Sequence, residues 1–212
     1  MTILSIATSA LRPTQMAVGM RLVKLKAKGL RKLDRKPQEL VNFILQNPIR
    51  VVLGPQQQAF VIDHHHLGLA LLNEGFKTAP VVVEADLSSL SEDAFWPEME
   101  RHKWLRAVDQ KGRPKTPDDI PDQLEDLEDD PYRSLAGFVR YQGGFHKTET
   151  PYMEFQWADY FRPLLKPSLL KDDFDKAIKQ ALKLAHAPAA QALPGYTGIA
   201  AETGDAGQDD DR

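Results

Sequence analysis

Apolar and polar positions alternate from Thr2 to Leu11, the period of a half-buried strand, here suited to a sheet edge, and Pro13 ends the run. The period then lengthens. Val18, Leu22, Leu25 and Leu33 recur at helical spacing on one side of the next segment, and Gly29 is a point where that helix breaks or bends. Pro37 to Gln46 reads as a second helix, with proline in its first turn and Pro48 beyond its end. Two short apolar runs, Arg50 to Leu53 and Ala59 to Ile62, flank Gly54-Pro55 and predict a pair of strands. His64 to Glu74 reads as an apolar helix that stops at Gly75, and the valine-rich Pro80 to Glu84 predicts another strand. Strand, helix, helix, strand pair, helix, strand is the order of a compact mixed α/β unit, placed over residues 1–90.

Beyond that unit the texture changes. Glu92 to Val108 predicts a helix that packs through Phe95, Met99, Trp104 and Val108. Gly112 to Pro131, rich in proline and acid, reads as a surface loop, and Arg133 to Gln142 as a helix ended by Gly143-Gly144. Thr150 to Phe161 is aromatic-rich core, and Asp172 to Ala185 has the spacing of an amphipathic helix. Residues 91–186 therefore read as a mainly helical extension packed on the first unit. The Ala/Gly/Pro/Asp-rich residues 187–212 are expected to be disordered.

Composition narrows the class. The chain has 212 residues, 42% hydrophobic and 27% charged, ordinary for a soluble globular protein. It has no apolar run long enough to span a bilayer and no signal-peptide pattern at its start, so the cytoplasm is the expected location. With no cysteine, disulfides, thiolate metal sites and cysteine nucleophiles are excluded. The net charge of −3 hides an asymmetry. Arg21 to Lys36 holds eight basic residues against Asp34 alone, whereas Asp118 to Asp130 holds eight acidic residues and no basic one. Arg21, Lys24, Lys28, Arg31 and Arg35 fall at steps of three and four and form a basic stripe. Such asymmetry marks either a polyanion-binding face or, more commonly, solvated surfaces.

The richest chemistry lies at Asp63-His64-His65-His66, between the second strand of the pair and the helix that follows. First-turn N–H groups have no intrahelical acceptor and carry partial positive charge, which suits an anion. Asp63 is placed to cap this helix, and the imidazoles add donors whose charge changes near neutral pH. Consecutive helical side chains point about 100° apart, so all three histidines cannot face one ion. Two of them with Asp63 make a partial metal site, and capping with local packing explains the same residues without a ligand. A phosphate is the favoured occupant.

These residues also carry a resemblance. Val61-Ile62-Asp63-His64-His65-His66, followed by a short helix and a valine strand, resembles the ParB/sulfiredoxin superfamily, whose strand-to-helix turn holds nucleotide phosphates. Leu11-Arg12-Pro13-Thr14-Gln15, Val18-Gly19, Asp130-Pro131-Tyr132-Arg133-Ser134 and Trp157-Ala158-Asp159 are similar to its branch of ParB-like nucleases, over Leu4 to Phe161. The resemblance implies an α/β (α+β) fold, with a ParB/sulfiredoxin-like N-terminal unit and a helical C-terminal extension. Relatives include partition proteins that hydrolyse CTP, sulfiredoxins that use ATP, and free serine kinases. Sulfiredoxin chemistry needs a cysteine in the turn, which this chain lacks, and no helix-turn-helix of the partition type is evident. The serine kinases carry Asp-Gly-His-His-Arg. Here His64 takes the glycine position and Leu67 that of the arginine, leaving Arg21 or Lys24 to supply the missing cation. Near the N-terminal strand, where the kinases place a glutamate base, this chain offers Thr14 and Gln15.

The implied function is binding of a phosphate-bearing ligand, an ATP-, ADP- or CTP-type nucleotide, with phosphoryl transfer or phosphate-ester hydrolysis. His64, His65, His66, Arg21, Lys24, Thr14 and Gln15 would bind phosphate. Asp63, His65 and His66 would be catalytic, and Asp63 would hold Mg²⁺. The alternatives are a DNA-binding nuclease and a non-catalytic nucleotide-sensing or interaction module. The acidic run predicts weak DNA binding at most.

Overall fold

The computed structural model describes residues 3–198, and their compact contacts divide the chain into two units, Met1–Asp129 and Asp130–Arg212. In the first unit the order is β1 (Ile3–Ala7), a 3-10 turn, β2 (Leu11–Pro13), β3 (Ala17–Val18), α1 (Met20–Asp34), α2 (Pro37–Gln46), β4 (Ile49–Leu53), β5 (Ala59–Asp63), α3 (His65–Asn73), β6 (Thr78–Asp86), α4 (Glu92–Arg101) and β7 (Glu128–Asp129). The mixed α+β class matches the expectation.

The five-stranded sheet has the order β1-β6-β4-β5-β2, so β1 and β2 form opposite edges although only three residues separate them. A flat sheet of this width would hold its edge strands about 19 Å apart, at about 4.8 Å per strand. The link from Ala7 to Leu11 reaches no more than about 15 Å. The sheet must therefore curl. Its alternation then builds two cores. Val51 and Val61 join Ile49, Val81 and the inner faces of α1 and α3 on one side, whereas Val52 and Phe60 meet Phe95 and Met99 on the other.

Several boundaries differ from the sequence pattern. The N-terminal run splits at the 3-10 turn, because only β1 pairs with β6 while β2 pairs with β5. Val18 belongs to β3, and α1 buries Leu22, Val23, Ala27 and Leu30 while leaving Leu25 exposed. Gly29 does not interrupt that helix. The helix expected over Glu92 to Val108 ends at Arg101, where Lys103 enters the left-handed region (φ 58°), and Trp104 stacks on His102. Residues 102–129 stay with the first unit rather than ending it near residue 90. The Arg106 N–H bonds the Thr14 carbonyl, and β7 pairs in parallel with β3.

The second unit contains α5 (Pro131–Tyr141), α6 (Met153–Phe161), α7 (Pro167–Asp172) and α8 (Phe174–Ala185). Its core centres on Trp157, stacked on Phe145 at 4.2 Å and donating from Nε1 to the Pro194 carbonyl. Disorder expected from residue 187 gives way to packing through residue 198: Ala190 is fully buried and the His146 N–H bonds the Gly195 carbonyl. The rest of that expected tail, 199–212, lies outside the described residues. Among the described residues no helix is long and apolar enough to cross a membrane.

Candidate functional site

The turn between β5 and α3 assigns a different role to each of its four polar residues. Asp63 is the last residue of β5 and is exposed. Its Oδ1 accepts the His64 N–H at 2.7 Å, so it serves the residue before the helix instead of capping the first turn, as the sequence suggested. His64 is the N-cap, with φ 68° and ψ 28°. That left-handed conformation costs a non-glycine residue roughly 1 kcal/mol, although histidine tolerates it better than most. The serine-kinase turn has its glycine at this position.

The imidazoles divide the same way. His64 places Nδ1 3.1 Å from the Pro48 carbonyl, which can only accept, so the proton sits on Nδ1. In the neutral ring Nε2 would then carry the lone pair, and it lies 4.0 Å from Asp63 Oδ2. His65 is buried, and its Nε2 accepts the Thr14 N–H at 3.2 Å. Thr14 Oγ1 donates to the Val61 carbonyl at 2.7 Å and lies 3.4 Å from the same Nε2. His66 Nε2 accepts the Gly19 N–H at 3.1 Å. A backbone N–H can only donate, so both nitrogens spend their lone pairs on the chain. His65 and His66 thus staple residues 14–19 to the start of α3, and neither Nε2 is turned towards a ligand as the acid/base assignment requires. His64 is the one of the three whose Nε2 takes no backbone N–H among the described residues.

The second staple also fixes α1. Gly19 precedes α1, so its bond to His66 brings the N-termini of α1 and α3 to one end of the unit, and the two helices pack together. Met20 N–H is taken by Asp129 Oδ1 at 2.9 Å. Arg21 and Lys24 lie on the exposed side of α1's first two turns, at that same end. Thr14 and Gln15 are both buried; Thr14 anchors His65, and Gln15 bridges to Arg106. Arg12 is committed elsewhere, to Gln58 and Asp122.

Sequence reasoning missed Arg50. It stands opposite Asp63 in the β4–β5 register, and its guanidinium binds Glu84 at 2.5 Å. Counting pairs outward from the Gly54-Pro55 turn would place Ile62 there; a register shift between Arg50 and Val51 brings in Asp63 instead, and no sequence signal marks that shift. Among the described residues no group of three or more His, Cys, Asp or Glu side chains is arranged to hold a metal ion.

The second unit gathers the other motif residues. Asp130 caps α5 by accepting the Tyr132 N–H at 2.9 Å, and it receives Arg162 through both Nη atoms, at 2.7 and 3.3 Å. Arg162 also meets Asp159 at 3.5 Å and lies over the Tyr132 ring. Arg133 stacks on Phe155 at 3.4 Å from the ring centroid. Burial works against the Arg162 charge, but the Asp130 and Asp159 carboxylates together outweigh it and raise the pKa.

The family described as "Putative ParB-like nuclease" matches residues 4–163, about three quarters of the chain and both of these motif clusters. The chain belongs to the ParB-like nuclease family. The ParB-like fold is also similar to the crystal structure of protein Atu1540 from Agrobacterium tumefaciens. That likeness has 40% identity and a TM-score of 0.85, and covers 94% of this chain and 100% of that one. Comparison with the curated proteins finds no match. Within this ParB-like chain, buried Asp130 and Tyr132 join half-buried Arg162 and exposed Asp159 in one network, so part of the family pattern maintains the second unit.

Proposed function

We propose that this ParB-like protein binds a phosphate-bearing ligand, a nucleotide, at the β5–α3 turn and hydrolyses a phosphate ester there. The observation that carries this reading is His64: held in the left-handed region, its Nδ1–H tied to the Pro48 carbonyl, its half-buried ring placing Nε2 4.0 Å from the Asp63 carboxylate. Conformational cost retained at a non-glycine residue points to use. Phosphate oxygens would meet the first-turn N–H groups of α3, with Arg21 and Lys24 supplying positive charge from α1. His64 Nε2 would take the proton of the attacking water.

Asp63 suits Mg²⁺ as one hard oxygen ligand, since that ion is commonly held by one or two carboxylates together with phosphate oxygens and water. Bound there, Mg²⁺ would supply charge neutralisation at the phosphate. His65 and His66 would then position the turn by holding residues 14–19.

A thermal-shift series with ATP, ADP, CTP and a short DNA duplex, each with and without Mg²⁺, tests the reading. A ligand that binds only the native state raises the melting temperature by mass action. A selective rise with one nucleotide supports it, and no rise with any of them removes it. The second reading, a DNA-directed nuclease, is favoured by the exposed basic side of α1 and predicts a shift with DNA alone.

A further inference from the structure

The first unit carries two exposed surfaces of opposite sign. On α1, Lys24, Lys28, Lys32 and Arg35 follow one another at steps of three and four, all exposed. Among the described residues none of the four side chains enters a hydrogen bond or an ion pair. They extend over about 16 Å of helix, at about 1.5 Å per residue. The other surface is the strap 116–129, which contains no basic residue. It is held in place by buried Leu124 and Leu127, by the Thr116–Asp119 capping box and by the pairing of β7 with β3. Between those anchors Asp118, Glu125, Asp126 and Glu128 are exposed.

We infer that the protein self-associates through these surfaces, the α1 stripe of one copy docking on the acidic strap of a second. Under a twofold axis each copy offers both surfaces, so the contact is made twice. The strap is already ordered by its own anchors, so little entropy is lost in docking it. The net charge of −3 opposes a long polyanion on the stripe, whereas a second copy brings a matched acidic surface.

Sedimentation of the full chain tests this. The wild type should be dimeric at about 0.1 M salt, where the Debye length is about 10 Å, and monomeric at about 1 M, where it is about 3 Å. The variant Lys24→Glu/Lys28→Glu/Arg35→Glu, with two acidic surfaces, should be monomeric at low salt. So should Asp118→Lys/Glu125→Lys/Asp126→Lys, with two basic ones. An equimolar mixture of the two should dimerise, because each stripe again faces a strap of opposite sign. Circular dichroism establishes that both variants are folded. If either is not, the single changes Lys28→Glu and Glu125→Lys replace it, each giving a several-fold weaker dimer that the mixture restores. A wild type that is monomeric at low salt overturns the inference. So does a charge-reversed variant that still dimerises, a folded pair that fails to assemble, or a monomer that binds duplex DNA through the stripe.

Discussion

Replacing His65 with alanine removes the acceptor that holds the Thr14 N–H inside the first unit. The ring is 7% exposed, so water cannot readily take its place. Leaving a buried donor unsatisfied costs about 1–3 kcal/mol. The volume lost adds a cavity cost of about 2 kcal/mol, at the lower end of large-to-small core changes. The sum is about 3–5 kcal/mol. With a urea slope of about 2 kcal/mol/M, the unfolding midpoint of the first unit should fall by roughly 2 M. Amide exchange gives the more local reading, with the Thr14 N–H losing most of its protection. His64→Gly is the contrast. It gives up one hydrogen bond, about 1 kcal/mol, and gains about as much by relieving a left-handed backbone, so its midpoint should stay within about 0.5 M of the wild type. A His65→Ala protein as stable as wild type, with Thr14 still protected, would refute the stapling role and reopen His65 as a ligand-facing group.

In the second unit, Asp130→Ala leaves Arg162 without its principal carboxylate and removes the α5 cap, so thermal unfolding should show a loss of about 3–5 kcal/mol; an unchanged melting temperature contradicts this. Asp109 is buried, which works against its charge, yet the N–H groups of Arg113 and Lys111 and the Arg113 guanidinium more than offset that and hold its pKa at about 2. A carboxyl held low stabilises the fold above its unfolded value of about 4, and the benefit is lost as pH falls towards 2. Asp109→Asn should therefore flatten the acid limb of the stability–pH curve, and identical limbs would rule this out. A methyl group at Gly54 would lie 2.5 Å from the Phe60 ring and 2.8 Å from that of Phe95, so Gly54→Ala should cost about 1–3 kcal/mol in denaturant unfolding.

The fold class and most elements of the first unit were legible because alternation in Val51-Val52 and Phe60-Val61 records which sheet face each side chain meets. Curling was not legible, since it depends on which strands form the two edges. The boundary at residue 129 was hidden for a similar reason: Glu128 and Asp129 have no strand pattern of their own and pair only because the chain returns to Ala17 and Val18. The turn at Asp63 to His66 was visible as chemistry, and the family pattern was visible across both units. The division of labour among its histidines was not, because it rests on backbone donors 45 or more residues earlier, at Thr14 and Gly19. Asp130 and Arg162 likewise meet only through the packing of α5 and α6.

Calorimetric titration of ATP, ADP and CTP, each with Mg²⁺, into the wild type, His64→Gly and Asp63→Asn bears most directly on the turn as a phosphate site. One nucleotide should bind the wild type with measurable heat. Both variants should remain folded and lose at least about tenfold in affinity, equivalent to about 1.4 kcal/mol. Equal binding by all three proteins, or no binding of any nucleotide to the wild type, would contradict the assignment.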